Sequence, residues 1–353
     1  MAVTLSFLGR PTVRLLLLGG LLGLLGGRAA RAQDAYFSQP FATRLHTNPA
    51  FAGLLDDYSA TLIYRDQFPN LPGTYQTQQL AAELRLPARG QHHALGLVLG
   101  QDRSGAIGYT RLNITGIYAY HTRLTTALAL SGGLGLGYGR QRVGYDNLLF
   151  GDQLSADGSL SGPTAERVDF QPVNYFSVTP GIVFYTEQAW LSLAAHHLNK
   201  PNLGFRTQSQ LPARLSLNGG YKLFLQRATT GKGAAAVAEV SLTPTLSYTR
   251  QGASSRSELG LYATVAPLTF GATYRNISPG SGVERLPVGV LTMGVGVGAF
   301  RLGYCYDVGL SASSRDLGGA HELTLSLRSF DQVGGALRRL RRQAYPATPF
   351  PAH

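Results

Sequence analysis

Large apolar residues recur at every second position through most of this chain. In TALALSGGLGLGYG, residues 126–139, Leu128, Leu130, Leu134, Leu136 and Tyr138 share one phase, and alanine, serine and glycine fill the other. LTMGVGVGAF, residues 291–300, alternates Leu291, Met293, Val295 and Val297 with Thr292, Gly294, Gly296 and Gly298. RLGYCYDVGLS follows, setting Leu302, Tyr304, Tyr306, Val308 and Leu310 against Arg301, Asp307 and Ser311. HELTLSLRS, from residue 321, sets Leu323, Leu325 and Leu327 against Glu322, Thr324, Ser326 and Arg328. Side chains alternate between the two faces of a strand, so each stretch predicts a strand with one bulky apolar face and one small or polar face.

Fourteen such strands are predicted, at 57–65, 75–86, 93–101, 109–121, 125–140, 173–185, 189–198, 212–225, 234–249, 256–266, 268–277, 288–300, 301–312 and 319–329. Many run about 9 to 14 residues, whereas strands of soluble sheets usually have about five or six. A strand that crosses a bilayer needs about 9 to 11. The isolated charges fall on the phase opposite the large apolar residues, which suits a lipid-facing exterior and a polar interior. Inside a bilayer every backbone amide must be paired, so such a sheet has to close. The pattern therefore predicts an all-β fold, a transmembrane antiparallel β-barrel of about 14 strands. Tyr109, Tyr118, Tyr120, Tyr138, Tyr248 and Tyr274 lie in or near the ends of these stretches, as aromatic girdles would. Arg301, Asp307, Glu322 and Arg328 are expected to point into the barrel and to need partners there. Adjacency of their strands suggests Asp307–Arg328 as one pair. The long gap 141–172 reads as a surface loop with Gly and Asp turns.

The ends of the chain read differently. Residues 1–32 have a basic start, Arg10 and Arg14, then LLLLGGLLGLLGG and RAARA, with Ala30 and Ala32 in a small-x-small cleavage pattern. That is an export signal, with Gln33 as the new first residue. The apolar run is short for a spanning helix and is interrupted by glycines. Residues 33–56 form a polar, aromatic leader that precedes the first strand and belongs in the periplasm or the lumen. The barrel is expected to occupy 57–330, and 331–353 a basic periplasmic tail carrying RRLRR.

Composition narrows the function. Loss of the four arginines in 1–32 takes the formal net charge from +12 to +8. The remaining arginines are scattered, so a nucleic-acid partner is not expected. One cysteine, Cys305, excludes an internal disulfide. GVGVGA, residues 294–299, loosely fits a dinucleotide-binding glycine pattern, but the period stays at two where a helix would have to begin. GKG at 231–233 lacks the rest of a phosphate-binding loop. The histidine pairs His92–His93 and His196–His197 are adjacent on strands and face opposite ways, which does not make a metal clamp. No serine is marked as a nucleophile. The residues thus suggest no catalytic, cofactor or metal site and no enzyme.

Several spaced motifs then resemble one family. QDAYFSQPFATRLHTNPAFAG, residues 33–53, carries an acidic-x-aromatic-Ser-Gln element at Asp34, Phe37, Ser38 and Gln39. An Asn-Pro-Ala-aromatic-Ala-Gly element follows at Asn48, Pro49, Ala50, Phe51, Ala52 and Gly53. YRDQFP, residues 64–69, includes Arg65 and Gln67, with Phe68 where the family usually has tryptophan. HHLNKPN, residues 196–202, and the ending with Tyr306, Asp307, His321 and Glu322 complete the set. From 33 to about 330 the chain resembles the PorP/SprF outer-membrane proteins of type IX secretion and gliding. Segment 40–47 and the tail 331–353 depart from that pattern. The resemblance implies a non-enzymatic barrel, partnered by outer-membrane lipid and by a secreted surface adhesin or components of the secretion and gliding machinery. It marks Asp34, Phe37, Ser38, Gln39, Asn48, Pro49, Phe51, Gly53, Arg65 and Gln67 as partner or plug residues. The alternative is a porin or transporter for small or hydrophobic solutes. Because the leader lies outside every strand, it is expected to matter for partner coupling more than for insertion, or else merely to pack against the barrel.

Overall fold

A computed structural model describes residues 34–70, 73–88, 91–105, 108–144, 151–153, 162, 164, 170–227, 238–280, 283–316 and 318–328. The predicted export signal 1–32, the predicted basic tail 331–353 and much of the predicted loop 141–172 lie outside the described residues. The strands are β1 (Tyr58–Gln67), β2 (Tyr75–Ala88), β3 (Gln91–Ser104), β4 (Tyr109–Arg123), β5 (Ala129–Arg142), β6 (Val173–Tyr185), β7 (Ala189–His196) and β8 (Arg214–Tyr221). β9 (Leu223–Gln226), β10 (Val240–Gln251), β11 (Ser254–Val265), β12 (Leu268–Ser278), β13 (Leu286–Val297), β14 (Phe300–Gly309) and β15 (Ala320–Arg328) follow.

Each strand is antiparallel to its neighbours, β1 pairs with β15, and β10 pairs with both β8 and β11, so the sheet closes on itself. β8 and β9 are one stave broken at Lys222, and both pair with β10; the 15 segments therefore make a 14-strand barrel. Lys222 turns its ammonium to Glu239 at 2.7 Å. Closure gives every strand a neighbour on both sides over at least part of its length, which goes most of the way to the demand that lipid places on backbone amides.

The alternation read from the sequence is the alternation of faces. On β15, Leu323, Leu325 and Leu327 are exposed on the outside while Glu322, Thr324 and Ser326 are buried inside. On β13, Leu291, Met293 and Val297 are exposed. On β5, Leu134, Leu136 and Tyr138 are exposed outward and Leu130 partly so, whereas Leu128 falls in the turn before the strand. Leu134→Arg is therefore expected to destabilise the barrel by roughly 2 to 4 kcal/mol. Urea titration of the heat-modifiable folded band should show it, and a cost equal to that of arginine in the 124–128 turn would remove Leu134 from the lipid face.

The two ends differ. β2–β3, β11–β12 and β13–β14 are joined by tight turns at the end where β15 stops and β1 starts. The opposite end carries the two longest connections, 143–172 and 197–213. Short turns on the periplasmic side and longer loops outside are the usual arrangement of outer-membrane barrels.

The segment ahead of β1 does not form a strand. It has a one-turn helix, α1 (Arg44–Thr47), and a 3₁₀ turn, Pro49–Phe51, capped by the Asn48 side chain, which accepts from the Ala50 amide. Pro49 at the first position of that turn gives up no hydrogen bond, because its amide would have no partner there. This segment is the core of the molecule. Phe41, Phe51 and Leu54 pack with Ala129, Val183, Tyr185, Trp190 and Tyr262 from the inner wall. Leu45 and Ala52 pack with Ala81, Ala94, Val98, Ile117 and Ala119.

Candidate functional site: a leader inside the barrel

Beginning at Tyr36, the leader meets a charged cluster on the inner face of β1, β11, β12, β14 and β15. Arg65 donates from Nη2 to Asp307 Oδ2 at 2.7 Å and from Nη1 to Glu322 Oε2 at 2.9 Å. Arg275 donates to Asp307 Oδ2 at 2.8 Å and, through Nε, to Glu258 Oε1 at 2.5 Å. Arg256 lies 3.3 Å from the same Glu258 oxygen. Three guanidinium groups thus face three carboxylates, and burial is tolerable because each charge has an opposite partner.

The leader completes the cluster. The amides of Ser38 and Gln39 donate to the two oxygens of Glu322 at 2.7 and 2.9 Å. Ser38 Oγ donates to Asp307 Oδ2 at 2.8 Å and accepts from Arg65 at 2.9 Å. Gln39 accepts from Thr324 Oγ1 at 3.0 Å. The Tyr36 ring covers Arg65, Arg256 and Arg275, with its centroid 4.9, 4.7 and 5.1 Å from their guanidinium carbons. Gln67 reaches the Tyr36 hydroxyl at 3.3 Å. One charge-assisted bond of this kind is worth about 1.5 to 3 kcal/mol.

The opposite wall holds the Asn-Pro-Ala-Phe turn. Asn48 is fully buried. Its Nδ2 donates to Ser192 Oγ at 2.9 Å and to the carbonyls of Ile182 and Leu193 at 3.0 and 2.9 Å. Gly181 and Gly133 make room: a Cβ on Gly181 would lie 1.9 Å from Asn48 Oδ1, and one on Gly133 would lie 2.3 Å from the Ala50 nitrogen. Ser131 Oγ donates to the Ala50 carbonyl at 2.7 Å and His121 Nε2 to the Ala52 carbonyl at 2.7 Å.

A third wall, β2, takes the end of the leader. The Gly53 amide donates to Glu83 Oε2 at 3.0 Å, and Arg44 binds the other Glu83 oxygen. Arg44 also reaches Asp56 at 3.2 Å. Burial pulls the Arg44 pKa down, but the neighbouring Glu83 and Asp56 outweigh it and leave it raised, so the guanidinium stays charged. Gly53 has φ +68°, and a Cβ there would meet Ala94 at 2.5 Å, so no other residue fits this position without displacement.

The structure gathers Phe37, Ser38, Gln39, Asn48, Pro49, Phe51, Gly53, Arg65 and Gln67 in or against the lumen, together with Asp307 and Glu322. It does not bring Arg301 and Arg328 into that cluster. Arg301 lies on the inward phase but donates to the carbonyls of Gly298 and Phe300 at the turn. Arg328 pairs with Asp56 at 3.0 Å. The expected Asp307–Arg328 pair is therefore corrected: Asp307 lies toward the long-loop end of β14, Arg328 ends β15 at the short-turn end, and Asp307 is held by Arg65 and Arg275. Sequence reasoning missed Tyr36, Arg44, Glu83, Glu258 and Arg275. The last two carry the same signal that marked Glu322, a lone charge on the phase opposite Leu259, Leu261 and Tyr274.

The His92–His93 pair splits as the strand geometry requires, whereas His197 lies beyond β7 and bonds the inner-face Ser177 hydroxyl at 2.8 Å. His92 stacks on His121 inside the barrel, with centroids 4.0 Å apart, while His93 bonds Tyr118 on the outside at 2.7 Å. Among the described residues no group of three or more His, Cys, Asp or Glu side chains could hold a metal ion. Among the described residues, cavities of about 40 Å³ each lie beside the leader where it faces β8, β10 and β11. Each has room for about three waters.

No curated protein sequence matches the chain. Solved barrels are similar to it. The CymD monoaromatic hydrocarbon channel superposes at a TM-score of 0.46 with 13% identity, covering 86% of this chain and 95% of CymD. The P. putida toluene transporter TodX gives 0.45 and 10%, covering 81% and 94%. CdiB from Acinetobacter baumannii gives 0.43 and 8%, over 78% of this chain, which spans 60% of the CdiB chain. These likenesses are too distant to carry an argument about what passes through or binds. The family model described as type IX secretion system membrane protein PorP/SprF matches residues 29–327. The chain belongs to the PorP/SprF family, and it is a β-barrel of the outer membrane.

Proposed function

We propose that this barrel is a non-enzymatic, non-conducting anchor of type IX secretion, which tethers or assists the export of a secreted surface protein such as an adhesin. The observation that supports this most is the fate of the lumen. Residues 36–54 cross it and bond to three separate walls, and the flanking cavities hold only a few waters each. A solute channel needs a path that opens at modest cost. Opening this one would strip a buried cluster of six charges of the Ser38 and Gln39 groups bonded to it and cost Asn48 its three hydrogen bonds to the wall. A filled barrel offers instead a rigid frame, with its rim and long loops presented outside the cell.

The test is surface display. In a strain that lacks this chain, at least one secreted surface protein is expected to fall at least tenfold at the cell surface, measured by protease shaving and mass spectrometry. A copy of the gene should restore it. Unchanged display of every surface protein, together with a lost uptake of small hydrophobic solutes, would overturn the anchor and establish the transporter.

A further inference from the structure

β6 is long, and its neighbour is short. On one side β6 pairs with β5 over its whole length, from Val173 to Tyr185. On the other it pairs with β7 only from Gly181 to Tyr185. Among the described residues no strand pairs with that second side from Val173 to Pro180, a run of roughly 25 Å toward the long-loop end. Pro180 sits at the point where pairing stops. Alternate residues of a strand direct their backbone groups to alternate sides, so the amide that Pro180 lacks would have faced the missing neighbour. Proline inside a strand is a mark of an edge.

A side chain occupies part of that edge. Beyond β7 the chain turns away at His197 and Lys200, both at positive φ, +54° and +45°. Asn199 then reaches back: its Oδ1 accepts from the Val178 amide at 3.1 Å and its Nδ2 donates to the Phe176 carbonyl at 2.7 Å. An amide side chain thus makes the pair of bonds that a strand backbone would make. The Leu198 amide donates to the Val178 carbonyl at 3.0 Å, and segment 197–213 folds inward, with Leu203 and Leu211 against Tyr175. Phe176 remains half exposed on the outer face.

We infer that the side of β6 without a strand neighbour, Val173–Pro180, is where the partner of this barrel docks, by adding an extended strand in place of the Asn199 side chain and the Leu198 amide. This rests on the anchor reading above and names its contact. The occupant is an extended backbone segment, because the groups that Asn199 and Leu198 now hold, the Phe176 carbonyl and the Val178 amide and carbonyl, are spaced as in a strand ladder, with Phe176 as an outer side-chain contact. A helix could not satisfy that row. Asn199 keeps the edge from pairing with other chains until the partner arrives, the protection that exposed edges require.

The test is a proline scan of full-length protein in cells. Phe176 directs its backbone toward the side without a strand neighbour, so Phe176→Pro removes the docking amide and leaves the β5 ladder in place. Ser177 directs its backbone to β5, so Ser177→Pro damages the barrel itself and marks what misfolding looks like on a heat-modifiability gel. The reporter is the surface protein whose display depends on this chain in the deletion strain. Phe176→Pro is expected to leave a folded, outer-membrane barrel and to lower that display at least tenfold, while Asn199→Ala keeps it at or above the normal level. Should Phe176→Pro itself misfold, Asn174→Pro, one step further along the same side, carries the same expectation. Normal display with a folded Phe176→Pro or Asn174→Pro barrel would overturn the edge as the docking site. Failure of the anchor reading would show earlier and separately, as a deletion strain with no display defect.

Discussion

Replacing Arg65 with methionine is expected to lower the stability of the barrel by about 3 to 5 kcal/mol, the cost of removing one partner from a buried ion cluster. Arg65 is fully buried and is the bridge between Asp307 and Glu322. Methionine keeps much of the volume, so the loss is one of charge. Glu322 would keep the Ser38 and Gln39 amides but lose its only cationic neighbour in the cluster, and Asp307 would keep Arg275. Urea titration of the heat-modifiable band measures the effect. A change below about 1 kcal/mol, the range of exposed ion pairs, would mean the cluster is solvated and does not hold the leader.

The second large effect concerns two glycines. Gly181→Val and Gly133→Val are each expected to expel the Asn48–Phe51 turn from the wall and to produce steady conductance in planar bilayers where the parent protein has none. Gly133 and Gly181 are each paired on both sides at their own positions, so the leader is the part that moves. Overpacking of this kind costs about 1 to 3 kcal/mol, and the turn would also lose the Asn48 bonds to β6 and β7. Gly116 is the control, since a Cβ there meets nothing within 4 Å. If Gly181→Val behaves like Gly116→Ala in both stability and conductance, the turn does not seat where described.

The barrel was readable because a bilayer enforces a period of two over lengths that soluble sheets do not reach. β13, β14 and β15 could be assigned face by face from residues 291–328 alone. The same alternation placed Asp307 and Glu322 on the inner face, and it would have placed Glu258 and Arg275 there had β11 and β12 been read for lone charges. What could not be read was where the leader goes. The bond from the Ser38 amide to Glu322 spans most of the chain, and nothing local in either segment encodes its partner. Gly133 and Gly181 looked like ordinary members of a small-residue face; their role appears only when the Asn48 turn is seen against them. For the same reason the expectation that the leader could be altered without harm to the barrel changes. It contributes no sheet hydrogen bonds, but Gln39 and Asn48 are buried and bonded to the wall, and Phe37 is buried edge-on against His46 of the leader. Substituting all three is now expected to weaken the folded barrel as well as any partner coupling. Pro180 was legible in principle as an edge signal, and only the short length of β7 shows which edge it marks.

The most direct measurement asks whether the leader lies in the lumen of the native protein. Asn48→Cys and Ser192→Cys place two thiols where the parent side chains are 2.9 Å apart, in a chain whose own Cys305 is replaced by serine. Mild oxidation of intact outer membranes, followed by proteolysis and mass spectrometry, is expected to yield a peptide pair linked through positions 48 and 192 in most of the folded protein. A folded barrel in which positions 48 and 192 remain as free thiols would contradict the account.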